Sequence, residues 1–168
     1  MRRSSMRITG RSMARIKVLV MDVDGTLTDG SIYICADGEA MKRFYVRDGH
    51  AIRHFLPEMG VTPVVITGRV SQIVARRCEE LDIRCLVQGS MDKWRDLTAI
   101  LEHLGATPEE TAYIGDDVND LDCMNRVGVC ACPKDAVDAV RAVADYVTEA
   151  EGGHGAVREF IEWLGKRQ

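Results

Sequence analysis

The stretch Ile16-Lys17-Val18-Leu19-Val20-Met21-Asp22-Val23-Asp24-Gly25-Thr26 decides the fold: an apolar run of strand character ends in two carboxylates flanking a single residue. Residues two apart on an extended chain point to one side, so a strand that stays regular through Asp24 turns both carboxylates toward the same place. Gly25 then lets the backbone turn sharply and approach an anion closely. An acidic pair at the carboxyl end of a parallel strand can hold Mg²⁺ and offer one oxygen as nucleophile to a phosphoryl group. Taken alone, the pair also reads as a strand followed by an Asx-type turn. The rest of the chain decides between the two.

Downstream, strand and helix alternate. Short buried strands are expected at Val61 to Ile66, Arg84 to Val87, Thr111 to Ile114, Val127 to Cys130 and Tyr146 to Val147, with helices near 49–59, 70–81, 91–104, 117–126, 135–143 and 155–164. This alternation predicts an α/β, doubly wound parallel sheet with ligands at the carboxyl ends of its strands. Between Asp24 and the first helix, Ser31 to Cys35 and Glu39 to Tyr45 flank the turn Asp37-Gly38 and read as a small β-hairpin.

The strand ends carry complementary groups. Thr67, Gly68 and Arg69 supply a hydroxyl, a freed backbone amide and a cation to phosphate or carboxylate oxygens; Thr67 or Ser71 can equally cap the next helix. Lys93 falls close to the apolar stripe of Leu97, Ile100, Leu101 and Leu104, so it points inward and can lean back toward the strand ends. Gly115-Asp116-Asp117-Val118-Asn119-Asp120 adds three more acids, which need a cation to share one cleft with Asp22 and Asp24. Asp120 lies four residues past Asp116 and can brace either that residue or Lys93. Arg77 falls within the stripe of Ile73, Val74, Cys78 and Leu81 and needs an anionic partner, whether a ligand carboxylate or an Asp or Glu.

Composition bounds the rest. The 168 residues suit one domain, 46% of them hydrophobic and 29% charged. Six basic and no acidic side chains occupy the first 17 residues, leaving 16 basic against 26 acidic in the other 151, a net of −10. Residues 1–15 therefore read as a basic, disordered appendage to a domain spanning 16–168. No nucleic acid partner is expected, because no aromatics interleave the basic tail and the acidic body opposes it. No membrane partner is expected either, since no apolar run approaches the roughly 18 residues a span needs. Six cysteines without metal-ligand spacing fit buried thiols in a reducing cytoplasm.

Acidic pair, hydroxyl, lysine and acidic loop, in this order, resemble the haloacid dehalogenase (HAD) superfamily of phosphohydrolases. The segments DVDGTLTDG, YVRDGHAIR, ITGR, ARRC, QGSMDK, YIGDDVND and GGHGAVREF narrow the likeness to the 3-deoxy-D-manno-octulosonate 8-phosphate phosphatase-like family, from about Ile16 to the C-terminus. The resemblance implies a HAD-like sheet without a cap domain. It implies Asp22 as nucleophile, Asp24 as general acid and base, Mg²⁺ held by Asp22, the Asp24 carbonyl and Asp116, and support from Asp117 and Asp120. Thr67 and Lys93 match the phosphate contacts; Arg47, Asp48, Gly49, Arg53, Gly68, Arg69 and Arg77 match contacts to an acidic sugar phosphate. A homotetramer follows from it, with each hairpin covering a neighbour's site, and only 42 residues between Asp24 and Thr67 leave no room for a cap. Asp122-Cys123-Met124 and Ala51 depart from the family pattern without touching the catalytic set. Phosphatases of nine-carbon acids share the motifs, but the arginine of ITGR favours the eight-carbon acid. A phosphorelay receiver fits less well, because here both acids lie in one motif, and a non-catalytic assembly module fits less well, because both catalytic aspartates are present. The Gly152-Gly153-His154-Gly155 loop reads as a mobile lid or as a flexible joint.

Overall fold

The apolar run becomes β1 (Val18–Met21), whose four residues are all buried because the strand lies inside a sheet covered on both faces. The computed structural model describes residues 14–167; most of the expected basic tail lies outside the described residues. In chain order β1 is followed by β2 (Tyr33–Cys35) and β3 (Gly38–Met41), then by α1 (Val46–His50) and α2 (Leu56–Met59), joined by a wider π turn at Ala51–Phe55. Next come β4 (Thr62–Ile66), α3 (Gln72–Glu80), β5 (Cys85–Val87), α4 (Lys93–Leu104) and β6 (Thr111–Ile114). The chain continues through α5 (Leu121–Met124), β7 (Val129–Cys132), α6 (Asp138–Val143), β8 (Tyr146–Val147) and α7 (Ala156–Gly165).

Six strands form one parallel sheet in the order β5-β4-β1-β6-β7-β8. Alternating strand residues feed two cores. Leu19, Met21, Val65, Ala112 and Ile114 pack with Leu56, Val74, Phe160 and Ile161 on one face. Val18, Val20, Val64, Ile66 and Tyr113 pack with Leu97, Leu101, Met124 and Val140 on the other. The chain leaves β1 for β4 on one side and later returns to β6 on the other, so the carboxyl end of β1 is the point where strand order reverses and ligands gather. Among the described residues, the segment from β1 to β4 holds only a loop, the β2-β3 hairpin and the α1-α2 helix, with no cap domain.

Three local expectations shift. Gly38, at φ +119°, pairs with Cys35, so the hairpin turn is Ala36-Asp37. β7 starts two residues late because Gly128 packs on the preceding turn, where a Cβ would fall 2.1 Å from the Glu109 carbonyl oxygen. The helix expected over 117–126 begins as a 3-10 turn, Val118–Asp120, held by a capping box between Asp117 and Asp120. Among the described residues no helix is long and apolar enough to cross a membrane.

Candidate active site

Beyond β1 the sheet ends at once. The Asp22 N–H donates to the Ile114 carbonyl at 3.0 Å, and the chain then swings through Val23–Leu27, a wide turn closed by the Thr28 N–H on the Val23 carbonyl at 3.0 Å. Asp24 (φ −74°, ψ 113°) and Gly25 (φ +92°) break helical geometry inside it. The strand does not stay regular through Asp24, and the two carboxylates acquire different partners: Lys93 for Asp22, Lys42 for Asp24. Glycine is required next, since φ +92° strains any other residue and a Cβ there would fall 2.1 Å from Asp116 Oδ2.

The centre of the site is a buried ion cluster. Lys93 Nζ donates to Asp22 Oδ1 at 2.8 Å and to Asp120 Oδ1 at 2.7 Å, with all three side chains nearly closed to solvent. Asp120 Oδ1 also accepts the Tyr113 hydroxyl at 2.6 Å, while its Oδ2 accepts the N–H groups of Asp116 at 3.0 Å and Asp117 at 3.2 Å. Asp120 thus braces both partners left open by its spacing, Lys93 and the Asp116 loop. Asp116 Oδ1 accepts the Thr26 hydroxyl at 3.0 Å. Asp117 is exposed and caps Val118 with a 2.7 Å bond, so its contribution is to the loop's shape.

Carboxylate oxygens of Asp22, Asp116 and Asp120 lie within 4.8 Å of one another. Burial and the Asp120 charge push Asp22 up to about 6 against the pull of Lys93. Burial, then Asp22 and Asp120, push Asp116 up to about 8. Three carboxylates facing one ammonium are short of positive charge, and an all-oxygen donor set fits a hard divalent cation. Since Asp120 is already engaged by Lys93, Tyr113 and two backbone N–H groups, Asp22 and Asp116 are the side chains with oxygens to offer.

Thr67, buried at the end of β4, bonds through its N–H to the Val87 carbonyl at 2.9 Å and through its carbonyl to the Ser90 N–H at 3.1 Å, which ties the Thr67-Gly68-Arg69 loop to its neighbour. Gly68 is exposed, and a Cβ there would lie 3.7 Å from the Ser90 carbonyl oxygen, an ordinary contact. Ser71 rather than Thr67 caps α3, accepting the Val74 N–H at 3.3 Å. Arg69 is half exposed, its Nε 3.9 Å from Asp24 Oδ2. Beside it stands Lys42, which no sequence motif singled out. Its side chain is closed to solvent, donates to Asp24 Oδ1 at 2.5 Å and pairs in charge with Glu39 Oε1 at 2.9 Å, while Ser71 Oγ donates to Glu39 Oε2.

The remaining expected contacts divide. Arg47 is exposed on α1, with its guanidinium 6.0 Å from the Tyr45 ring centre. Arg77 does point inward; it pairs with Glu80 at 3.1 Å, lies 5.7 Å from the Phe44 ring centre, and keeps a buried Nε without a partner. Three other positions lie as follows. Arg53 pairs with Asp82 at 3.1 Å beside Thr62 and Pro63, at the amino end of the sheet and away from the cleft. Asp48 is 1% exposed; its Oδ1 accepts the Arg158 N–H at 2.8 Å and anchors the start of α7, while its Oδ2 is buried without a partner. Gly49 makes room for Arg77, whose Nη2 would lie 2.4 Å from a Cβ there.

The Gly152–Gly155 loop is docked against the Asp22–Thr28 turn. Gly153 N–H donates to the Thr26 carbonyl at 3.0 Å and Gly152 N–H to Asp135 Oδ1 at 2.9 Å. A Cβ on Gly152 would fall 1.9 Å from the Gly25 carbonyl oxygen. Its glycines permit close packing against the Asp22–Thr28 loop, and the loop acts as a clamp on that turn.

Comparison with known proteins agrees with this geometry. Residues 79–161 match the family model of haloacid dehalogenase-like hydrolases. The chain is 43% identical over 149 residues to 3-deoxy-D-manno-octulosonate 8-phosphate phosphatase KdsC of Escherichia coli K12, covering 89% of this chain and 79% of that protein. The structure of the Yersinia pestis phosphatase of that name superposes with TM-score 0.88 and 40% identity, covering 91% of this chain and 82% of that one. The Moraxella catarrhalis enzyme, solved with magnesium ion, phosphate ion and KDO, gives TM-score 0.87 and 41% identity over 91% of this chain and 87% of that one. A parallel sheet with paired acids at its reversal point, a buried lysine and likeness of this extent lead to one conclusion: the chain belongs to the 3-deoxy-D-manno-octulosonate 8-phosphate phosphatase-like family of the haloacid dehalogenase superfamily, and is a phosphoric monoester hydrolase.

Proposed function

We propose that the chain hydrolyses 3-deoxy-D-manno-octulosonate 8-phosphate with Mg²⁺, through an aspartyl phosphate on Asp22. The observation that carries this reading is the buried Asp22-Lys93-Asp120 triad beside Asp116, with Asp24 on the same loop held by Lys42. Asp22 would attack phosphorus while Lys93 offsets the charge of nucleophile and phosphate. Asp24 would give a proton to the leaving alcohol and then take one from the hydrolytic water. Thr67 and Lys93 would contact the phosphate oxygens, and Gly68 would leave space for their approach.

Asp22, the backbone carbonyl of Asp24 and Asp116 would hold Mg²⁺, with Asp117 and Asp120 fixing the loop that carries Asp116. When bound, the ion supplies charge neutralisation at the phosphate oxygens. Arg69, half exposed beside Asp24, suits a sugar carboxylate, and the exposed Arg47 is a second cation for it. The names of the E. coli and M. catarrhalis relatives support the eight-carbon acid. The exposed side chains of Ile32, Tyr33, Ile34 and Met41 support a homotetramer in which hairpins meet neighbouring sites. Free thiols at all six cysteines support a reducing, cytoplasmic setting.

Phosphate release from eight- and nine-carbon acid sugar phosphates, neutral sugar phosphates and nucleotides, each with Mg²⁺ and with chelator, tests the proposal. Highest kcat/KM on the eight-carbon ester, lost with chelator, is the expected result. Preference for a neutral sugar or a nucleotide would overturn the substrate, and full activity in chelator would overturn the metal.

A further inference from the structure

On the outer side of the cleft four charged side chains close a ring. Lys42 Nζ lies 2.5 Å from Asp24 Oδ1 and 2.9 Å from Glu39 Oε1. Arg69 completes the circuit, with Nε 3.9 Å from Asp24 Oδ2 and Nη2 3.9 Å from Glu39 Oε1. Charge alternates around it, and three segments contribute: the hairpin through Glu39 and Lys42, the loop after β1 through Asp24, the loop after β4 through Arg69. The two cations are not equivalent. Lys42 has 0% side-chain exposure and short contacts, whereas Arg69 has 49% and long ones. The Lys42 ammonium is itself held from behind, because Ser71 Oγ ties down the second oxygen of Glu39.

We infer that Lys42 is a positioning residue for Asp24, a role resting on the proposal that Asp24 is the general acid and base. Lys42 fixes the carboxylate by Oδ1 and turns Oδ2 toward the reacting oxygens. The weaker hold of Arg69 is released when a substrate carboxylate takes that guanidinium. In the first step an Asp22 oxygen bonds to phosphorus, the ester P–O bond breaks, and the proton on Asp24 Oδ2 passes to the departing alkoxide. In the second, Asp24 takes a proton from water as the water oxygen bonds to phosphorus and the Asp22 O–P bond breaks. Lys42 transfers no proton in either step; it keeps the carboxylate within reach of both. Glu39 and Ser71 keep Lys42 in place, which couples the hairpin's seating to the acid–base chemistry.

The test compares kcat/KM on an alkyl phosphate, whose leaving group needs a proton, with kcat/KM on p-nitrophenyl phosphate, whose leaving group does not. Both are measured on the full chain with Mg²⁺. Lys42→Met should lose about tenfold or more on the alkyl ester and several-fold less on the aryl ester, since general acid assistance is what each ester values differently. Lys42→Arg should recover part of the alkyl activity, and Glu39→Gln should show the same split more weakly. Equal losses on both esters in Lys42→Met and Glu39→Gln, or no alkyl loss in either, would overturn the inference. The alkyl ester used is the one the parent chain hydrolyses best. A wrong sugar assignment therefore reveals itself in the parent chain, while the split still decides the role of Lys42.

Discussion

Gly25 and Asp116 touch across the cleft so closely that a Cβ on the glycine would fall 2.1 Å from Asp116 Oδ2. The turn that aims Asp22 and Asp24 and the loop that presents Asp116 therefore fit only without a side chain at position 25. Gly25→Ala should strain the φ +92° backbone by about 1 to 3 kcal/mol. Displacing the Asp116 carboxylate should also cost about 100-fold in kcat/KM. Thermal unfolding and steady-state kinetics check both, and a variant with parental activity would show that the loop accommodates the methyl group.

Asp116 links metal to stability. Burial, then the charges of Asp22 and Asp120, push its carboxyl up from 3.8 to about 8. A carboxyl raised on folding binds more protons folded than unfolded, so metal-free stability should fall as pH rises from about 4 to about 8. Asp116→Asn removes that penalty. Without metal, the variant should match the parent near pH 4 and exceed it by at least about 1 kcal/mol at pH 8. Added Mg²⁺ should reverse the order, because the parent binds the ion better. Denaturant melts across this pH range, with chelator and with Mg²⁺, provide the measurement; a parent whose metal-free stability rises with pH would contradict it.

Much of this site was legible because its groups follow one another at strand ends. Asp22, Thr67, Lys93 and Asp116 each sit just past an apolar strand or at the first turn of an apolar helix, and the parallel sheet brings such positions together. Lys42 and Glu39 were hidden by their setting. A charge on a hairpin reads as edge-strand solubility, whereas Lys42, just past the end of β3, reaches Asp24. Tyr113 looked like core, though a buried phenol in an apolar strand calls for a hydrogen-bond partner, which is Asp120. Arg53 was expected from the family resemblance alone, and it stands instead beside Asp82, Thr62 and Pro63. The helix runs away from the cleft, and six residues at about 1.5 Å each carry Arg53 toward the far end of the sheet.

Arg69 separates recognition of the acid from recognition of the phosphate. Its guanidinium is half exposed and holds Asp24 and Glu39 only at 3.9 Å, so it is free to take a substrate carboxylate. Arg69→Ala should weaken kcat/KM for the acid sugar phosphate by about 1.5 to 3 kcal/mol, the worth of one charge-assisted bond. A small phosphate ester without a carboxylate should lose far less. Equal losses on both esters would put Arg69 on the phosphate instead.

Assembly can be tested at the hairpin tip. Ile34 is 71% exposed and Met41 55%, with Tyr33 at 39% beside them, on a two-stranded sheet that touches the rest of the chain mainly through Glu39 and Lys42. A cluster of exposed apolar side chains on one hairpin suits burial against another copy, and each large apolar side chain so buried contributes about 1.5 to 3 kcal/mol. With no cap domain among the described residues, a neighbour's hairpin is also the available means of keeping water from the cleft. Ile34→Lys leaves every hydrogen bond of the site in place while placing a charge in that contact. Light scattering should show a tetramer for the parent at assay concentration and smaller species for the variant. Turnover should fall with assembly and return as protein concentration rises, because the chemical groups are intact in each subunit. Parental turnover from a fully monomeric Ile34→Lys chain would sink the shared-site arrangement, and leave the hairpin's contribution to catalysis resting on Lys42 alone.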